Sequence, residues 1–533
     1  MDKALKLGQV SATGSFQLFI GKILSTVILA VGTIILGMLI SEGDYGLFTI
    51  ALVPAATILL FQDWGVGSAM TKYCASYRAL NKEGELRKII VAGLTFEIAT
   101  GLVLMVFSFL SANFIASAIF NKPESSFLIF LISISILFNA LFMVSQNIFV
   151  GFDKMGLSSV AMICQAIAQG VLSPLLVYLG YGALGAAVGY AMSSLVVGVV
   201  AVVLLYFFIF RKLGPSESSK SNVYQVLKPL LRFGVPLAVG SIIIGILSQF
   251  NWFVVARFVD VAMIGNFRIA NNFAVFLTFV TIPISTVLFP AFSKLDPKNE
   301  RELLKTVFTS SVKYTALFLV PTTMALMVLS KPMIGTIYGG KWLDAPYFLF
   351  LGVISSLFTI FGNLSSTSLL TAMGETKMLM KANALVLFID VPVALLLIPK
   401  FGVPGAIFTG IIAGIPAWFV FVYWTWKRFG AKADFQSSAR IFLSSALAGG
   451  ATYLFLSLFD AANWMRLSIG LLLFLAVYLV VTPLVGGINQ TDIDNLRVMF
   501  SGLGVLSKLF GVLLFLVEQP LKLRAKRLEA RKG

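Results

Sequence analysis

Apolar runs of about 20 residues recur from Phe16 to Val485, and that is the length a helix needs to cross the hydrocarbon core of a bilayer. Hydrocarbon offers the backbone no water to bond, so a spanning segment must be a helix or part of a closed barrel. A barrel would show alternating segments of about ten residues, and none appears. Only 12% of the residues are charged, against roughly 25% in a soluble globular chain. The expected fold class is therefore all-α, a polytopic membrane protein with about 14 transmembrane helices by run length. Among the expected spans, helix 2 covers about 45–69, helix 7 about 233–256, helix 8 about 268–291 and helix 10 about 347–370. The first run, Phe16 to Ile40, is longer than a signal-peptide core and lacks a small-residue cleavage site. It is expected to be retained as the first span.

The chain has no histidine and two cysteines, Cys74 and Cys164, far apart. A disulfide framework and a zinc-type cluster are thereby excluded, the commonest general base is missing, and no cofactor or metal is expected. The net charge of +17 has two readings: a basic surface for nucleic acid or another anion, or the positive-inside bias of a membrane protein. Its distribution favours the second. With the N-terminus inside, most of the 40 Lys and Arg fall on cytoplasmic loops such as Lys72–Lys88, Arg211–Arg232 and Lys294–Lys313. Short connections such as Ser41–Asp44 fall outside. The expected location is the cytoplasmic membrane, with both termini cytoplasmic and no nucleic-acid partner. The apolar run Phe500 to Val517, followed by basic residues from Lys522 to Lys532, is expected to lie as an interfacial helix on the inner leaflet rather than to span.

The chain also repeats itself. Gly46-Leu-Phe-Thr-Ile-Ala51 resembles Gly265-Asn-Phe-Arg-Ile-Ala270, and Asn81 to Lys88 resembles Lys298 to Lys305. Gly151 to Met155 resembles Gly374 to Met378, and Gly182 to Ala186 resembles Gly402 to Ala406. Four matches in one order at nearly one offset indicate duplication. Six spans per half give both halves the same orientation, hence parallel repeats about an axis along the membrane normal. The expected organisation is an N-terminal six-helix lobe (1–210), a cytoplasmic linker (211–232) and a C-terminal six-helix lobe (233–432), followed by helices 13 and 14 (433–485) and a cytoplasmic tail (486–533).

From about Gln17 to Gly430, and more loosely to Arg497, the chain resembles the polysaccharide transporter branch of the multidrug/oligosaccharidyl-lipid/polysaccharide exporter superfamily, which includes O-antigen-type flippases and has lipid II flippases as relatives. The residues that carry the resemblance include Lys22-Ile-Leu-Ser25, Asp44-Tyr-Gly46, Gln62-Asp-Trp-Gly65, Gly265 to Ala270, Phe289-Pro-Ala-Phe-Ser293, Thr371-Ala-Met-Gly374 and Phe401 to Ala406. The resemblance implies two lobes around a central cavity and movement of isoprenoid-linked sugars across the cytoplasmic membrane. The chain departs from the pattern twice. Leu36 to Ile40 lacks an arginine that many relatives carry before the Tyr-Gly, and Asn251 stands where many have an acid. Where that acid couples an ion in relatives, coupling in this chain must use another residue.

Ionisable groups within spans are costly, so each is a functional candidate. Arg268, Arg257 and Lys22 are candidates for a substrate phosphate, because guanidinium forks suit phosphate oxygens. Asn271, Asn272 and Gln169 could meet sugar hydroxyls. Asp390, Glu97 and Asp63 are candidates for coupling protons or sodium ions. Each has a structural alternative: Lys22 and Asp63 could snorkel to the inner surface, the two arginines could anchor to headgroups, and the buried acids could make interhelical hydrogen bonds. The reading is a flippase for a polyprenyl-(pyro)phosphate-linked oligosaccharide or similar glycolipid, acting as a monomer by alternating access and contacting membrane lipids. The alternatives are an ion-coupled exporter of small cationic or drug-like molecules, and a membrane glycosyltransferase, ligase or polymerase. The last would need a large outer loop bearing carboxylates and a nucleophile–base pair or metal cluster, and the sequence has none.

Overall fold

The computed structural model describes residues 3–214, 223–501 and 511–522, and these are helical with no strand among them. The linker residues 215–222 and tail residues 502–510 and 523–533, on which part of the expected linker and tail fall, lie outside the described residues. Among the described residues, ten helical segments are long and apolar enough to cross a membrane, or eleven with one bent pair counted. One of them, Met155–Lys212, contains two helices and is too long for a single crossing. Each expected span has a helix or a broken helix at its place.

By contacts the chain forms two units. The first comprises Met1–Arg268 with Ala394–Val403, and the second Ile269–Val393 with Pro404–Gly533. The first contains α1 (Lys3–Leu39), α2 (Glu42–Leu59), α3 (Val66–Ala79), α4 (Glu83–Phe114), α5 (Ser126–Gly151), α6 (Met155–Leu176), α7 (Gly182–Phe208), α8 (Val223–Phe258) and the start of α9 (Val261–Ala274). α8 begins inside the stretch expected as a polar linker. In this unit α1 lies along α6, α6 and α5 along α7, and α4 along α5. Lipid tails are as apolar as leucine, so these helices associate through close packing and interhelical polar contacts rather than through expulsion of water. The buried cluster of Val66, Met70, Cys74, Ile90, Ile148 and Phe149 shows that packing among α3, α4 and α5.

The second unit holds α10 (Thr278–Ser293), α11 (Arg301–Tyr338), α12 (Ala345–Gly352), α13 (Asn363–Ala372) and most of α14 (Thr376–Phe401). It continues with α15 (Val403–Phe429), α16 (Phe435–Leu458), α17 (Asn463–Val485) and α18 (Gln490–Ser501). α11 packs on both α16 and α17. The carboxylate of Asp492 on α18 takes a buried ion pair from Lys313 at 2.5 Å. It also accepts from the Asn489 amide at 2.8 Å, while the Asn489 side chain accepts from the Asp492 amide at 2.9 Å. This reciprocal cap starts α18 where it meets α11.

Three expected spans are interrupted. Span 2 ends at Leu59, and a turn through Trp64 (φ 44) and Gly65 (φ 76) opens α3. A left-handed backbone cannot continue a right-handed helix. Span 8 is interrupted by a 3₁₀ turn at 275–277, which joins α9 to α10 without leaving right-handed backbone. Span 10 is bent by 62° at Gly362, which has φ 80.

Asp434 caps α16 through bonds from the Ser437 amide and hydroxyl. Burial pushes the Asp434 carboxyl up, but the Ser437 bonds and Lys313 outweigh that, so it titrates below the usual aspartate range. Its contribution is present above the unfolded carboxylate pKa and is lost as pH falls through the lower folded value. Asp434→Ala should cost about 1 kcal/mol at neutral pH, as loss of an N-cap does. Thermal unfolding in detergent at neutral and strongly acidic pH should show the difference shrinking in acid.

Candidate functional site

The first unit contains a polar cavity of about 240 Å³ with Arg268 in its wall. α2 contributes Thr49, Leu52, Val53 and Ala56, which share one helix face, while α7 contributes Tyr190 and α8 contributes Gln249 and Trp252. The start of α9 sets the place of Arg268. Asp260 accepts from the Ala262 amide at 2.9 Å and so caps α9. The Asn266 side chain donates to Glu42 Oε2 at 2.9 Å, which ties α9 to the first turn of α2. Trp252 rests on Phe267, ring centroids 5.4 Å apart. Arg268 is half-buried and is an electrostatic neighbour of Tyr190. A forked cation, a phenol and a primary amide thus meet in one space, a donor set that fits a phosphate with an attached sugar, while the Thr49 hydroxyl donates to the Tyr45 carbonyl at 2.8 Å.

α2 and α9 cross without room for a side chain. A Cβ on Gly46 would collide with the carbonyl of Val261, and a Cβ on Gly265 with the carbonyl of Glu42. Gly46 and Gly265 are 219 positions apart, as are Glu42 and Val261. The contact is therefore reciprocal: each glycine of the repeated motif meets the carbonyl four residues before the other. A second close approach joins the turn after α2 to the start of α8, where a Cβ on Gly65 would collide with the backbone of Gly234.

An acidic cluster sits near that second contact. Glu97, 1% exposed, accepts from Gln62 Nε2 at 2.6 Å and has Asp63 as an electrostatic neighbour. Asp63 accepts from the Gly67 amide at 2.6 Å. The Thr71 hydroxyl bonds to the Asn147 carbonyl at 3.0 Å, and the amide of Asn147 packs over Gly67. The left-handed turn at Trp64 and Gly65 places Gln62 and Asp63 here, directly before α3.

The other candidates lie elsewhere. In the same unit, Lys22 is exposed on α1, Gln169 half-buried on α6 and Arg257 exposed at the end of α8, all outside the lining of the Arg268 cavity. Arg257 donates to the Ala118 carbonyl at 3.5 Å. Beside it, Lys122 is buried and donates to the Ala256 carbonyl at 2.6 Å, capping the end of α8. Burial lowers the Lys122 ammonium from the usual lysine range. Asn271 and Asn272, both half-buried, and Asp390, 3% exposed on α14, belong to the second unit. Sequence reasoning missed Gln249, Gln62, Tyr190 and Trp252. A polar-residue-in-span rule would have found the two glutamines. Nothing in the sequence separates the two aromatics from those that face lipid.

The polysaccharide biosynthesis protein family matches residues 11–296. The chain is similar to the lipopolysaccharide biosynthesis protein WzxC of Escherichia coli (strain K12), 26% identical over 389 residues, covering 69% of this chain and 72% of that protein. It is also similar to the probable low-salt glycan biosynthesis flippase Agl15 of Haloferax volcanii, 22% identical over 250 residues, covering 44% of this chain and 52% of the other. Among solved structures, the inward closed conformation of the lipid II flippase MurJ superposes with a TM-score of 0.70 at 18% identity, covering 87% of this chain and 97% of that one. At that identity the likeness concerns the fold.

Proposed function

From the premise that this chain belongs to the polysaccharide biosynthesis protein family, we propose that it flips a polyprenyl-(pyro)phosphate-linked oligosaccharide or similar glycolipid across the cytoplasmic membrane. The observation that carries the reading is Arg268 in the wall of a polar cavity that also holds Tyr190, Gln249 and Thr49. A lipid phosphate crossing hydrocarbon alone would face a desolvation cost of many kcal/mol. A guanidinium with neutral donors replaces that lost hydration, and amide and hydroxyl groups suit the sugar. The named flippase among the relatives supports the same substrate class.

In this reading the protein is a monomer with both termini cytoplasmic, and it works by alternating access. The reciprocal Gly46–Gly265 crossing is a contact that opens and closes once per cycle. Glu97 and Asp63 couple a proton or sodium ion to that movement, with Asp390 as a further coupling candidate, while Lys22, Gln169, Asn271, Asn272 and Arg257 are candidate secondary contacts for the substrate. A cavity that presents a guanidinium disfavours a cationic cargo, which weighs against an exporter of small cations. The chemistry assigned to the site is binding and release, not bond cleavage.

The reading is tested by flipping of a fluorescent polyprenyl-diphosphate sugar in proteoliposomes, with and without an imposed proton or sodium gradient. Glu97→Gln keeps the shape and the Gln62 contact while removing the carboxylate. It should abolish the stimulation by the gradient, a change of about tenfold if the ion contributes about 1.4 kcal/mol. A variant with unchanged gradient dependence would remove Glu97 from coupling.

A further inference from the structure

We propose that an apolar groove between α2, α4 and α8 holds the polyprenyl chain of the carrier lipid while Arg268 holds its phosphate, an assignment that rests on the function proposed above. The groove has a volume of about 420 Å³ and lies on the other side of α2 from the polar cavity. On this side α2 supplies Pro54, Thr57 and Ile58, and the turn that follows it supplies Phe61. Pro54, Thr57 and Ile58 each stand five positions beyond a residue of the polar face, Thr49, Leu52 and Val53 in turn. Five residues turn a helix by about 140°, so α2 presents one stripe to each compartment. α8 does the same over two consecutive residues: Trp252 faces the polar cavity and Phe253 the groove. The wall between the compartments is therefore the α2–α8 seam itself.

That seam is held at several points, among them Leu60 of the turn after α2, whose side chain packs against Gly245 of α8. At one end the Gly65–Gly234 approach holds the turn after α2 against α8, and at the other the Gly46–Gly265 crossing holds α2 against α9. The two compartments flank the stretch between these contacts. The groove's own hydroxyls are turned away from it: Thr57 donates to the Val53 carbonyl at 2.8 Å and Ser111 to the Phe107 carbonyl at 2.7 Å. Its surface is left entirely apolar. Phe61, Phe107 and Phe114 at its rim are 38%, 57% and 62% exposed, so it opens laterally onto the face that meets lipid. A lipid with an anionic sugar-bearing head and a long methyl-branched chain matches the pair of compartments. Its chain enters from the bilayer, and its head meets Arg268 across the seam.

The test uses the full chain in proteoliposomes and fluorescent polyprenyl-diphosphate disaccharides with a long or a short chain. Ser111→Trp and Leu104→Trp fill the groove. Each should lower the ratio of long-chain to short-chain flipping about tenfold, the loss of contact with roughly two methylenes. An unchanged ratio would overturn the proposal. On the unsubstituted protein, a long-chain polyprenyl phosphate with a photoreactive chain end should label peptides of α2, α4 and α8. Labelling confined to other helices would overturn the proposal, as would labelling of the groove abolished by excess phospholipid, which would make the groove an ordinary acyl-chain site. Arg268→Ala separates the two readings: it should slow both chain lengths, and if it slows neither, the function itself fails whatever the groove binds.

Discussion

Arg268→Ala should cut the flipping rate by about a hundredfold, the effect of removing one partner from a desolvated, hydrogen-bonded charge pair. The site offers no substitute for the lost cation. Its remaining polar groups are neutral: Tyr190 and Gln249 can donate to a phosphate but cannot balance its charge, and the Thr49 hydroxyl is spent on the Tyr45 carbonyl. Arg268→Lys should recover part of the rate and stay about tenfold below the parent, because an ammonium keeps the charge but loses the planar fork that binds two oxygens at once. Gln249→Ala should cost less than either, since it removes a neutral donor. The order Ala below Lys below Gln249→Ala is the informative result. A purely structural role for Arg268 would lower yield or thermal stability in step with rate, so both are measured on the same preparations. Arg257→Ala serves as the contrast. Its guanidinium reaches the Ala118 carbonyl, so flipping should change by less than about threefold, in line with the small value of exposed charged contacts.

The two arginines also show how far the sequence could be read. As charges they are alike: both flank the turn between the same two spans, and both break the positive-inside bias. Hydropathy and charge counting nominate them equally, and only the three-dimensional path of α8 into α9 turns one to a cavity and the other to a carbonyl. The spans themselves were legible because hydrocarbon imposes one length and one periodicity on every crossing. The breaks were less so. Gln62, Asp63 and Gly65 mark a polar, turn-prone point within the expected second span, but the run length around them is that of one crossing, and the left-handed backbone at Trp64 and Gly65 and its close approach to Gly234 are seen only in three dimensions. The acid pair illustrates the same limit. Glu97 and Asp63 belong to different spans, and Gln62, which joins them by bonding Glu97, gives no signal in a sequence read one helix at a time. The repeat was legible as similarity, but its meaning at Gly46 and Gly265 was not, because sequence matching says that two motifs are related and not that they touch.

That touching yields the second large effect. Gly46→Ala places a methyl against the Val261 carbonyl, and Gly265→Ala places one against the Glu42 carbonyl. Neither obstacle is a flexible side chain, so the helices must separate, and overpacking of this kind costs about 1–3 kcal/mol. If the crossing opens and closes once per cycle, the cost falls on the crossed state alone. The equilibrium then shifts toward the open state by up to about a hundredfold. Flipping should fall by a comparable factor in either single variant, while thermal stability in detergent falls much less, since the open state remains folded. The reciprocity sharpens the test. Because the two glycines meet at one crossing, the separation forced by the first methyl makes room for the second. The double variant should therefore be far less impaired than the product of the two singles, with a coupling energy of about 1 kcal/mol or more. Independent losses that simply multiply would mean that the two glycines do not share a contact during transport. Singles with full activity would mean that this crossing never has to close.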